Sequence, residues 1–137
     1  MGKTHSHGNG PRLLVVDDQP FFCSFLQEKF EELGYSVTTA GDAFRALLAI
    51  DRSETPLVVL LDLMLPRVSG QQLLNELARG PHASKVRVVL VSAHHSVERV
   101  AQHHPLVLGR VQKPVDLGEL TRMVDDASRA LAQPRAP

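Results

Sequence analysis

The sequence predicts one α/β domain built on a doubly wound parallel sheet of five strands. Three observations predict it: short apolar runs, amphipathic segments that alternate with them, and capping residues at their boundaries. Runs that are apolar throughout, rather than at every second position, suit strands buried on both faces of a parallel sheet. Strand and helix alternate through five units, which places helices on both faces.

The first strand is Leu13–Val16. The amphipathic segment after it sets Phe21, Phe22, Phe25, Leu26, Phe30 and Leu33 on one helical face, and Gly34 follows as a C-cap should. Tyr35–Thr39 is more polar and β-branched, which suits an edge strand. Ala43, Ala46, Leu47 and Ile50 make a shorter helical face before the run Leu57–Leu61. Ser69 with Gln72 reads as a capping box for a helix that buries Leu73, Leu74 and Leu77. The fourth strand is Val86–Val91, interrupted by Arg87. Ser96–His104 is the weakest helix, with only Val97, Val100 and Ala101 as its stripe. Leu106–Val111 is the fifth strand. Asp116 with Glu119 imitates a capping box before the face of Leu117, Leu120, Val124, Ala127 and Leu131.

A length of 137 residues suits one domain with one substantial core. Residues 11–132 are expected to form it, with a flexible tail at 1–10 and a proline-containing tail at 133–137. Fifteen basic and fifteen acidic residues balance to no net charge. That argues against a domain whose main task is to neutralise nucleic-acid phosphates. The single cysteine, Cys23, precludes an internal disulfide and fits a reducing cytosol; its place near the apolar helix face makes it a core or boundary residue. No apolar run approaches a membrane span and none resembles a secretory signal, so a cytoplasmic protein without membrane partners is expected.

Sites in open α/β sheets form beyond the carboxyl ends of the strands. The first run ends in Asp17-Asp18, the third in Asp62, the fourth in Ser92, and the fifth near Lys113-Pro114. Three carboxylates, a hydroxyl and an ammonium therefore share one rim. Two carboxylates 4 Å apart repel by about 4 kcal/mol at an effective dielectric near 20, so an ionised trio needs a cation. Hard oxygen donors without His or Cys favour Mg²⁺. With the metal bound, Asp62 can act as nucleophile toward a phosphoryl group, with Lys113 and Ser92 stabilising charge on its oxygens.

The stretches Val15-Val16-Asp17-Asp18, Asp62-Leu63-Met64-Leu65-Pro66 with Ser69-Gly70, Val91-Ser92-Ala93, and Lys113-Pro114 resemble the four motifs of response-regulator receivers, including the chemotaxis regulators of two-component signalling. The resemblance covers nearly the whole domain, in order. It implies the flavodoxin-like strand order 2-1-3-4-5. It implies that Asp17, Asp18, Asp62 and the backbone carbonyl of Met64 hold Mg²⁺, that Asp62 accepts phosphate, and that Ser92 and Lys113 bind the phosphoryl group. It also implies a cis Lys113-Pro114 bond. The expected function is phosphorelay signalling by a stand-alone receiver that catalyses only its own phosphorylation and dephosphorylation. Its expected partners are a histidine kinase or histidine phosphotransfer protein and a downstream protein target, with no direct contact to nucleic acid. A receiver excised from a larger regulator or hybrid kinase, and a pseudo-receiver that binds without phosphorylation, are the alternatives. A hydrolase of the haloacid-dehalogenase type is disfavoured, because its second acid would stand where Met64 is.

Two departures bear on output. Arg110 replaces the usual aromatic three residues before the lysine. His103-His104-Pro105 replaces the small residues typical before the fifth strand. His5, His7, His95, His103 and His104 read as surface histidines, while His94, two residues past Ser92, stands where the resemblance implies a residue that influences dephosphorylation.

Overall fold

The computed structural model describes residues 10–93 and 104–132. Strands β1 (Arg12–Val16), β2 (Ser36–Ala40), β3 (Leu57–Leu61), β4 (Val86–Ser92) and β5 (Val107–Gln112) form one parallel sheet in the order β2-β1-β3-β4-β5. The helices are α1 (Pro20–Glu32), α2 (Ala43–Arg52), α3 (Gly70–Arg79) and α4 (Leu117–Ala132). The expected helix at Ser96–His104 lies outside the described residues, apart from His104. No described helix is long and apolar enough to cross a membrane.

Both faces of the sheet are apolar, and the period of two divides each strand between them. Leu14, Val16, Val59, Leu61, Val88 and Leu90 pack under α2 and α3. Leu13, Val15, Val58, Leu60, Val89, Val91 and Val111 pack under α1 and α4. This is why the central runs are continuous in hydrophobicity.

The caps form as the sequence indicates. Ser69 and Gln72 make a full capping box on α3, Asp116 accepts from Glu119 N at 3.1 Å, and Gly34 adopts φ +97° beyond α1. The first helix departs from expectation. Cys23, Leu26 and Phe30 are its buried residues, while Phe21 is 90% exposed and Phe25 and Leu33 also lie outside. At about 100° of turn per residue, Phe21 falls on the side opposite Leu26 and Phe30, so the apolar residues of α1 outnumber what one face can bury.

The strands run in step at the rim. Val16 pairs with Leu61, so Asp17 and Asp62 follow side by side on neighbouring strands. Ser92 pairs with Gln112, which brings Lys113 to the same end. The β4–β5 ladder steps once, between Val88 and Val89: Val107 pairs with Val88 and Gly109 with Val89, leaving Leu108 over.

Candidate functional site

Asp17 and Asp62 are buried and Asp18 is exposed, yet one carboxylate oxygen from each lies within 4.8 Å of the others. The strand register fixes the first two and the turn into α1 supplies the third. Asp62 N donates to Val16 O at 3.0 Å and Asp17 N to Ala40 O at 3.0 Å, so both backbones are still tied to the sheet.

Each buried acid is held by local donors. Gln19 N donates to Asp17 Oδ1 at 2.9 Å, and Met64 N donates to Asp62 Oδ1 at 2.9 Å. Lys113 Nζ bridges the other two oxygens, donating to Asp17 Oδ2 at 2.7 Å and to Asp62 Oδ2 at 3.2 Å. Burial pushes the Asp17 carboxyl above the ordinary range, an effect that Lys113 and the Gln19 amide only partly offset. Burial works to lower the Lys113 ammonium, but its bonds and attraction to Asp17 and Asp62 outweigh it and the net direction is up. The rim is thus a place where a positive centre is held between two acids.

The loop after β3 is pressed close to this centre. A Cβ at Gly70 would lie 2.5 Å from Asp62 O and 2.7 Å from Leu63 Cα, so only glycine lets α3 begin there. Ser92 is fully buried at the end of β4, and Lys113 N donates to Ser92 O at 3.2 Å. The Lys113-Pro114 bond is cis.

Residues 13–125 match the family model of the response regulator receiver domain. The chain belongs to that family.

Protein Rrf1 of Nitratidesulfovibrio vulgaris is similar to this receiver, 34% identical over 121 residues that make up 88% of this chain and 83% of Rrf1. Transcriptional regulatory protein GlrR of Escherichia coli is 33% identical over 116 residues, 84% of this chain and 26% of GlrR. The chain spans between about a quarter and a half of the length of most of the curated transcriptional regulators it matches. Among solved structures, the receiver domain of the Francisella response regulator 1452 resembles it with a TM-score of 0.76 at 29% identity, covering 88% of this chain and 98% of that one.

In this receiver Asp17, Asp18, Asp62 and Lys113 meet as one cluster, with Ser92 on the same rim. The Met64 side chain is exposed while its N–H reaches Asp62. His94 and His95 lie outside the described residues. His104 is half-buried rather than a surface residue, and burial lowers its imidazole below the ordinary value. Arg110 is exposed. Cys23 is buried as expected; its Sγ donates to Asp17 O at 3.2 Å, and burial, with the nearby Asp17 charge adding, pushes the thiol up to about 11.

Two neighbours of the site escaped the sequence. Gln19 Oε1 accepts from Lys113 Nζ at 3.2 Å, and the Phe22 ring stands 4.4 Å from the same ammonium. Their signal was the spacing of Gln19, Phe22 and Cys23, three and four residues apart immediately after the paired acids. That spacing puts all three on one side of the first turn.

Proposed function

We propose that this receiver accepts a phosphoryl group on Asp62. The observation that carries the reading is the cluster itself: three carboxylates within 4.8 Å, two of them buried and bridged by Lys113. A buried carboxylate beside two others is costly to keep charged without cationic partners. The donors are all oxygen, with no His or Cys among the described groups, which fits Mg²⁺. Asp17, Asp18, Asp62 and the Met64 carbonyl would hold it. When bound, it supplies charge neutralisation on the phosphoryl oxygens.

The chain's own groups account for the rest. An Asp62 carboxylate oxygen forms the new bond to phosphorus. The bond to the donor's nitrogen or oxygen breaks and the leaving group keeps the electron pair. Lys113 supplies positive charge to a phosphoryl oxygen, and Ser92 supplies a hydroxyl. Beyond its own phosphorylation and dephosphorylation the receiver catalyses nothing in this reading. Its donor is a histidine kinase or phosphotransfer protein and its output is a contact with another protein, in the cytoplasm and without nucleic acid.

Coverage of 83% of Rrf1 favours residues 11–132 acting as a stand-alone receiver. The small share of GlrR favours a receiver that works within a longer regulator. The reading frame of the gene separates the two.

Arg110 stands exposed where most receivers place an aromatic that turns inward on activation. Burying a guanidinium costs several kcal/mol unless it is fully paired. Arg110 therefore stays at the surface in both states and meets an acidic group on a partner, and the signal passes through residues 92–104. NMR shifts with a beryllofluoride phosphate mimic test this; a buried Arg110 in the mimic-bound state refutes it.

Acetyl phosphate with Mg²⁺ is expected to add one labile phosphoryl group, read by intact mass. Asp62→Asn abolishes it and Asp18→Ala loses Mg²⁺ binding and labelling together. Undiminished labelling of the Asp62→Asn protein would sink the assignment.

A further inference from the structure

The described structure gives Lys113 more partners than the phosphoryl chemistry asks for. An ammonium has three N–H donors. Asp17 Oδ2 at 2.7 Å, Asp62 Oδ2 at 3.2 Å and Gln19 Oε1 at 3.2 Å take all three. The Phe22 ring covers the same nitrogen with its centroid at 4.4 Å, inside the range of a cation–π contact. The Lys113 side chain is only 17% exposed as a result.

Gln19 and Phe22 belong to one structural unit. Gln19 is the N-cap of α1 and makes no side-chain cap bond of its own. Its backbone N–H instead holds Asp17 Oδ1. Phe22 is half-buried and packs against the core under α1 and α4, so the position of its ring is set by the body of the domain. Cys23, one residue on, ties the same turn to the Asp17 carbonyl. A lysine has a long flexible stem and a point charge. Here the first turn of α1 fixes where that charge rests.

We propose that Phe22, with Gln19, is a positioning residue that keeps the Lys113 ammonium between Asp17 and Asp62, ready for an incoming phosphoryl group. The proposal rests on Asp62 being the phosphoacceptor. It assigns to the α1 turn a part in setting how fast the site reacts. Phe22 acts only through Lys113, by the electrostatic attraction of a ring face for a cation. A leucine of similar bulk fills the same space without that attraction, and tyrosine or tryptophan retains it.

The test uses the full chain with phosphoramidate and Mg²⁺, following phosphoryl incorporation by mass. Phe22→Leu is expected to slow incorporation by about 2- to 30-fold, the range implied by losing one cation–π contact. Phe22→Tyr and Phe22→Trp restore the rate. Gln19→Ala slows it by less. In parallel, the Lys113 ε-methylene NMR signals are expected to show an aromatic ring-current shift in wild type and Phe22→Tyr that disappears in Phe22→Leu. Should Phe22→Leu fail to fold, Phe22→Met replaces it. Equal rates for wild type and Phe22→Leu, or a Phe22→Tyr protein as slow as Phe22→Leu, overturn the proposal. Absence of the ring-current shift in wild type does the same. If wild type takes no phosphoryl group at all, the phosphoacceptor reading fails, while the ring-current measurement still decides the contact.

Discussion

The layer of α2 and α3 and the layer of α1 and α4 cover opposite faces of one sheet with similar aliphatic cores, yet they meet the site in different ways. Under α2 and α3 the buried set is aliphatic throughout, from Leu14 and Val16 to Leu73, Leu74 and Leu77. Under α1 and α4 it includes Cys23, Phe30 and Tyr35, with Phe22 and Met123 at its border. The α1 side reaches Lys113 and Asp17 through side chains. On the α3 side the Gly70 backbone is pressed so close to Asp62 and Leu63 that a Cβ there would lie 2.5 Å from Asp62 O. One layer therefore supports the chemistry by shape, and the other also by charge and polarisable surface.

The largest test of this difference is a pair of core truncations. Leu77→Ala under α3 and Leu26→Ala under α1 remove side chains that are 1% and 0% exposed. Each is expected to cost about 2–5 kcal/mol in urea unfolding. Leu26→Ala, which loosens α1, is also expected to weaken beryllofluoride binding in the folded protein, and Leu77→Ala is not. Equal losses of affinity would erase the distinction between the layers.

Gly70→Ala sharpens it. The added Cβ meets the backbone of Asp62 and Leu63 at the end of β3, so the turn must move. Overpacking of this kind costs about 1–3 kcal/mol, and phosphorylation is expected to fall with it because the turn carries Met64 N, a donor to Asp62. A smaller effect comes from Ser69→Ala. It deletes the α3 cap at 3.2 Å from Gln72 N and is expected to cost about 1 kcal/mol while leaving the phosphorylation rate of the folded protein unchanged.

The smallest effect is on the α4 side. Burial holds the Tyr35 phenol above its ordinary value, and its hydroxyl donates to Asp125 Oδ1 at 3.3 Å. A raised folded pKa means the native state binds this proton more tightly than the unfolded chain. The stability it contributes is complete below about pH 10 and is lost as pH climbs through the folded value. The chain has one tyrosine and no tryptophan, so phenolate absorbance reads this group alone. A midpoint at or below that of free tyrosine would contradict the burial argument.

Much of this was legible in the sequence because it depends on local pattern. The strand ends at Asp17, Asp62 and Ser92 follow from where apolar runs stop, and the Ser69–Gln72 cap from a spacing of three. What stayed hidden depends on distant contact. The Phe22–Lys113 and Gln19–Lys113 contacts join the first helix to the far edge of the sheet; the local spacing groups Gln19 with Phe22 but does not name Lys113 as their partner. Phe21 is apolar but, at about 100° of turn per residue, stands opposite Leu26 and Phe30, so a count of apolar residues without their angles overstates the buried face. The ladder step in β5 also left no trace in composition.

That step gives β5 a tolerance of length at one point only. Two residues, Val107 and Leu108, stand where β4 advances by one, and from Gly109 onward the pairing is regular to Gln112. Leu108 is the surplus residue and is 49% exposed. Removing it leaves a ladder without the step, with Val111 still under α4 and Lys113 still beside Asp17. Removing Arg110 instead shifts everything after it by one, turns Val111 away from its core and draws Lys113 back one position, short of the acids. The strand can thus absorb insertions and deletions ahead of Gly109, while the three residues between Gly109 and Lys113 are a counted distance.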